Sequence, residues 1–139
     1  MNALLFLTPK SEVVYLYDDM TLRQAMEKME HHRYQCLPVL KRDGKYAGVV
    51  TEGDLLWACK NTPGFTFQDA EHMMLSDIPR HFVYKAILPT QDIVDLITAT
   101  YSQSFVPVVD DTYSFIGMIK RSDIIRYMYR GYQKLQAGS

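Results

Sequence analysis

The 139-residue sequence carries only two cysteines, Cys36 and Cys59, too few for a disulfide framework and without the spacing of a metal site. Both read as reduced thiols acting as small apolar side chains. Net charge is equally scarce. With 15 Lys and Arg against 16 Asp and Glu, a balance of −1 excludes the basic excess of a nucleic-acid binder. Long apolar runs are missing as well: residues 4–7, LLFL, fall far short of a membrane span or a signal-peptide core. The expected location is therefore cytoplasmic, with neither a membrane nor a nucleic acid as partner. Catalytic constellations are also lacking. There is no Ser-His-Asp elbow, no Gly-rich phosphate loop and no pair of catalytic carboxylates. His31, His32, His72 and His81 are scattered, none with a metal-binding partner four residues on, and read as surface or connector residues. Neither an enzyme nor a metal protein is expected.

What is present is a repeat. Residues 37–55, LPVLKRDGKYAGVVTEGDL, read as two short buried strands joined by a tight turn and running into a helix. Pro38 belongs at a strand start or an edge, because it cannot donate to a ladder. Asp43-Gly44 is the hairpin signal, and Gly48 inside the second strand marks a close approach. Residues 106–124, VPVVDDTYSFIGMIKRSDI, return the pattern: Pro107, Gly117 and Asp123 each follow Pro38, Gly48 and Asp54 by 69 (107 − 38), without a gap. Val14-Tyr15 with Val83-Tyr84, and Thr21 with Thr90, extend the match at the same offset. Two copies imply two half-modules, each leaving a sheet face to be buried on the other.

Within the first copy the expected order is strand, helix, strand, strand, helix. Val13, Val14, Tyr15 and Leu16 form the first strand. Thr21 and Gln24 have capping-box spacing, and Leu22, Ala25, Met26 and Met29 continue a helix to about residue 31. Tyr46 opens a strand ending near Val50, and a helix covers residues 52–60. Asn61-Thr62-Pro63-Gly64 breaks it, and a connector with at most a short helix follows. In the second copy Phe82, Val83 and Tyr84 make the strand, Thr90 caps a helix, and Ser122 caps the last one. Gly131 is a point of interruption, and Gly138-Ser139 are expected to fray.

Thr51 and Asp54 stand where a strand delivers the chain to a helix N-terminus, where free N–H groups and the positive dipole end gather. A carboxylate there accepts two hydrogen bonds from a vicinal diol such as ribose. The same spacing is that of a capping box, and both readings stand. In the second copy Lys120 replaces the threonine, with Arg121 beside it and Asp123 kept. Adjacent cations at the wrong end of a helix dipole suit a phosphate. Ahead of the first proline, Cys36 is small and leaves room for a planar ring, with Tyr34 available to stack. Phe105 fills the equivalent space of the second copy, so the first site reads as open and the second as blocked.

Leu37-Pro38-Val39 with Gly48, Thr51 and Asp54, doubled, resembles the cystathionine-β-synthase (CBS) domain, and the pair resembles a Bateman module. The resemblance covers about residues 7–127. It implies an α+β fold of two β-α-β-β-α repeats packed sheet to sheet about a pseudo-twofold axis, as one module over 1–139. Repeat 1 would span 7–60, a connector 61–74, repeat 2 75–130 and a tail 131–139. It also implies a binding site for an adenine nucleotide. Val14, Tyr34, Gln35, Cys36 and Pro38 would hold the base, Thr51 and Asp54 the ribose, and Lys120 and Arg121 the phosphate. The change at Lys120 puts a second ribose site at Asp123 in question.

Residues 74–80, MLSDIPR, followed by a Val-rich strand and a basic pair, are similar to the stand-alone CBS proteins that bind cyclic di-AMP. AMP, ADP and ATP are equally compatible. The implied function is non-catalytic ligand sensing, passed to a separate, unidentified protein. The other reading is a structural dimerisation subunit with vestigial clefts. CBS modules commonly form homodimers, and Tyr127, Tyr129 and Tyr132 offer an interface.

Overall fold

The computed structural model describes residues 3–138. In chain order it contains β1 (Thr8–Pro9), β2 (Leu16–Tyr17), α1 (Leu22–His32), β3 (Cys36–Leu40), β4 (Tyr46–Thr51), α2 (Glu52–Lys60), α3 (Ile93–Ala99), β5 (Phe105–Val109), β6 (Phe115–Lys120) and α4 (Arg121–Ala137). Short 3₁₀ turns lie between them. The class is α+β, with two three-stranded sheets. The chain divides into two compact units, Val14–Val83 on the one hand and Met1–Val13 with Tyr84–Ser139 on the other.

In the Val14–Val83 unit, β2 runs parallel to β3, and β3 pairs antiparallel with β4. Gly44, at φ 92°, closes the hairpin as its N–H donates to the Lys41 carbonyl. β3 is therefore the central strand, where a proline is normally excluded. It is tolerated because β2 reaches only Val39 and Leu40, leaving Pro38 unpaired on that side. Thr21 caps α1 with a full capping box, and the helix sinks Leu22, Ala25 and Met29 onto Leu37, Val39 and Val50. Leu55 of α2 joins the same core.

In the other unit, β6 is the central strand between β1 and β5. β1 was not expected from the sequence. It pairs Thr8 with Met118 and Pro9 with Gly117. A Cβ on Gly117 would overlap the Thr8 carbonyl oxygen, so the missing side chain admits β1. At Gly48, where the close approach was expected, nothing lies within 4 Å, and the glycine serves its φ of 110°. Leu96, Val106, Val108, Ile119 and Ile124 form the core.

The ungapped offset of 69 holds only from the strand pairs onward. Asp92 holds the N-cap position of α3, without a side-chain bond, where Thr21 caps α1, and Ile87 bridges Val108 as Leu16 pairs with Val39; both separations are 71 (92 − 21). Two residues are thus lost in the second copy between helix cap and strand, and Thr90 lies in a turn instead of capping. The strands move with this. The first is Leu16–Tyr17 instead of residues 13–16. Residues 82–84 form none, and Val83 is 71% exposed. The buried Gln103 side chain stands in for a partner strand: it accepts from the Lys85 N–H at 2.9 Å and donates to the Lys85 carbonyl at 3.1 Å. Ser122 does not cap α4, whose N-cap is Lys120 without a side-chain bond. Gly131 does not interrupt α4, and Gly138 closes it; Ser139 lies outside the described residues.

Candidate functional site

The sequence following Val50 forces β4 to turn into α2 at Thr51, whose extended backbone (φ −111°, ψ 162°) presents its hydroxyl to the helix start. The Asp54 N–H donates to Thr51 Oγ1 at 3.1 Å, and the Thr51 N–H donates to Asp54 Oδ2 at 3.0 Å. The capping reading is therefore realised. It occupies one carboxylate oxygen.

The other oxygen faces a residue that the sequence left among the scattered histidines. The His81 N–H donates to Asp54 Oδ1 at 3.0 Å, and His81 Nδ1 lies 2.9 Å from the same atom. A carboxylate accepts only, so Nδ1 carries the proton. Trp57, one turn along α2, packs against the imidazole with ring centroids 4.2 Å apart. Asp54 is 2% exposed. Burial alone pushes its carboxyl pKa up, but the bonds from the His81 ring, the Thr51 N–H and the His81 N–H outweigh it and hold the group below its ordinary value.

Arg80 extends this polar cluster. Its Nη1 donates to the Leu75 and Ile78 carbonyls at 3.2 and 2.7 Å. Nε is buried without a partner among the described residues. Burial lowers its pKa, and the Asp54 charge opposes that. Beside the cluster lies a cavity of about 250 Å³ bounded by Asp54, Trp57, Asn61, Asp77 and His81. The arrangement is a buried, ionised carboxylate at a helix N-terminus opening onto a small pocket. It suits hydroxyl donors.

A CBS-domain family model matches residues 6–61 and again 67–130. The chain belongs to the CBS-domain family. It is similar to a CBS domain protein from Streptococcus pneumoniae TIGR4, at 21% identity and TM-score 0.83 over 91% of this chain and 85% of that one. A structure of CbpB in complex with c-di-AMP superposes at TM-score 0.87 and 16% identity, over 100% and 91% of the two chains. CBSX2 in complex with AMP gives 0.70 and 20%, over 90% and 93%. No curated protein sequence matches the chain.

Within the CBS pair, the structure brings some of the expected residues together. Cys36 pairs with Thr51 across β3 and β4, Pro38 pairs with Val49, and the Glu52 N–H donates to the Gln35 carbonyl. Val14 packs against the core of its unit. Gln35 lines a separate groove of about 600 Å³ between α1 and α2, with Met26, Arg33, Glu52, Cys59 and Phe67. Tyr34 is exposed, with His32 stacked on its ring at 5.9 Å. Neither Tyr34 nor Gln35 lines the Asp54 cavity.

In the second CBS unit, Lys120 is exposed at the end of β6. Arg121 turns Nε onto the Thr100 and Gln103 carbonyls at 2.9 and 3.2 Å. Phe105 is buried with its ring against Tyr84, centroids 5.2 Å apart. Burial pushes the Cys59 thiol pKa up, in keeping with an unreactive side chain. No helix is long and apolar enough to cross a membrane among the described residues. His81 and Trp57 are the residues whose role the sequence did not signal, and Arg80 entered only within the stretch 74–80. His81 reaches Asp54 from 27 positions away, with no local pattern to announce it.

Proposed function

We propose that this CBS pair is a non-catalytic regulatory module that binds an adenine nucleotide, with its ribose on Asp54. The observation that carries the reading is the buried carboxylate at the start of α2, held ionised beside a cavity. That related folds are seen with c-di-AMP and with AMP supports an adenylate as ligand. Thr51 positions Asp54. Cys36 and Pro38, on the strand paired with Thr51, are the nearest of the base-binding candidates, and Val14, Tyr34 and Gln35 complete that set. Lys120 and Arg121 are the proposed phosphate ligands, and Arg121 would act through its Nη groups, its Nε being held by carbonyls. The module acts in the cytoplasm as a homodimer and passes occupancy to a separate protein. Exposed Tyr127, Tyr129 and Tyr132 on α4 supply aromatic surface for the homodimer contact.

Thermal unfolding with adenosine, AMP, ADP, ATP and cyclic di-AMP tests the reading. A ligand at a hundred times its dissociation constant stabilises by about 2.7 kcal/mol. Asp54→Ala should abolish the shift for every ligand that contributes a ribose. If none of the five stabilises the wild-type chain, the module is a dimerisation subunit instead.

A further inference from the structure

Of the side chains walling the Asp54 cavity, only His81 belongs to the type that changes charge between about pH 5 and 8. Its imidazole is committed to the carboxylate through Nδ1, 2.9 Å from Asp54 Oδ1, and its backbone N–H holds the same oxygen at 3.0 Å. The backbone bond keeps the ring beside the carboxylate whatever the ring's charge. Nδ1 is the donor, so Nε2 is the atom left to take a proton. At 47% exposure the side chain is open to water.

The charges around the ring favour that proton. Asp54 faces it from α2, and Asp77 shares the cavity from the connector that carries His81 itself. No Lys or Arg is in the lining. Arg80, the neighbour in sequence, opposes, since its charge reaches Asp54 and Tyr46 of β4. Two carboxylates thus stand against one guanidinium. A neutral ring gives Asp54 a hydrogen bond, and a protonated ring gives the same bond plus the attraction of a full charge. A ribose diol that needs this oxygen therefore meets a stronger competitor as the pH falls.

We propose that His81 is a pH-operated latch on the ribose-binding carboxylate: protonated, it pairs with Asp54 and holds off the diol, and neutral, it yields. Ligand binding then releases a proton, and acid weakens the ligand by the same factor by which the ligand weakens protonation. The inference rests on the ribose reading of Asp54 and adds the regulation of that site.

Two measurements on the full chain test it. Trp57 is the single tryptophan and packs on the His81 ring, centroids 4.2 Å apart. An imidazolium against an indole quenches its emission more than a neutral imidazole does. Without ligand, Trp57 emission should fall between about pH 8 and about pH 5.5, the histidine range. It should stay level in His81→Gln, which keeps a donor for Asp54 but cannot titrate. Calorimetric titration with adenosine, which has no phosphate to titrate, should give about fivefold weaker binding at the acid end. The affinity of His81→Gln should be the same at both ends. Level Trp57 emission in the wild type, equal adenosine affinity at both ends, or an affinity that falls as steeply in His81→Gln overturns the latch alone. Absence of adenosine binding at every pH overturns the ribose reading and the latch with it.

Discussion

Asp54 Oδ1 receives both the backbone N–H and the imidazole Nδ1 of His81, at 3.0 and 2.9 Å, while Oδ2 receives the N–H of Thr51. A carboxylate offers about four acceptor positions, so three are already taken. A ribose diol brings two donors. One existing bond must therefore break for the diol to dock, and the His81 ring, 47% exposed, is the cheapest to release. The two backbone donors are held by the chain itself.

From this competition, His81→Ala is predicted to tighten adenosine binding about fivefold, the net worth of one hydrogen bond. Calorimetry on the two proteins measures it. Weaker binding by the variant would mean that the ring grips the ligand instead of guarding the carboxylate.

The depressed pKa of Asp54 fixes the sign of an acid effect. Its ionised form is favoured in the folded chain, so the stabilisation is complete above the ordinary aspartate value of 3.8 and is lost as pH falls through the lower folded value. Asp54→Asn removes that contribution at every pH. The melting-temperature gap between wild type and Asp54→Asn should be wide at pH 5 and shrink towards pH 2.5. A gap constant over that range would show that the charge contributes nothing.

The sequence announces those parts whose signals are local. The capping boxes at Thr21 and Thr51 place α1 and α2 to within a residue, because cap and helix lie within four positions of each other. The Asp43-Gly44 turn does the same for β3 and β4. β1 is illegible because its two residues carry no alternation and owe their conformation to β6, more than a hundred positions away. The same holds at residues 82–84, where β-branched and aromatic side chains promise a strand but none forms, and the following Lys85 pairs with a glutamine amide instead. At the site, Thr51 and Asp54 are readable as helix-start chemistry. Their partner His81 depends on how the chain returns after Pro79, which no periodicity encodes.

The two strand glycines separate backbone freedom from close packing. Gly48 and Gly117 are equivalent in the repeat and both have positive φ, at 110° and 156°. Around Gly48 a methyl group meets nothing within 4 Å, so Gly48→Ala should cost only the strained backbone, about 1 kcal/mol. At Gly117 the methyl would overlap the Thr8 carbonyl and come within 2.8 Å of Leu7 Cδ1 and 3.1 Å of Pro9 Cα. Overpacking adds roughly 1–3 kcal/mol to the same strain, and relief requires β1 to lift from β6. Urea unfolding should therefore show Gly117→Ala losing at least twice as much stability as Gly48→Ala. Hydrogen exchange should speed at the β1–β6 pairs in Gly117→Ala alone. Equal losses for the two variants would mean that β1 holds to β6 too loosely to resist a methyl group.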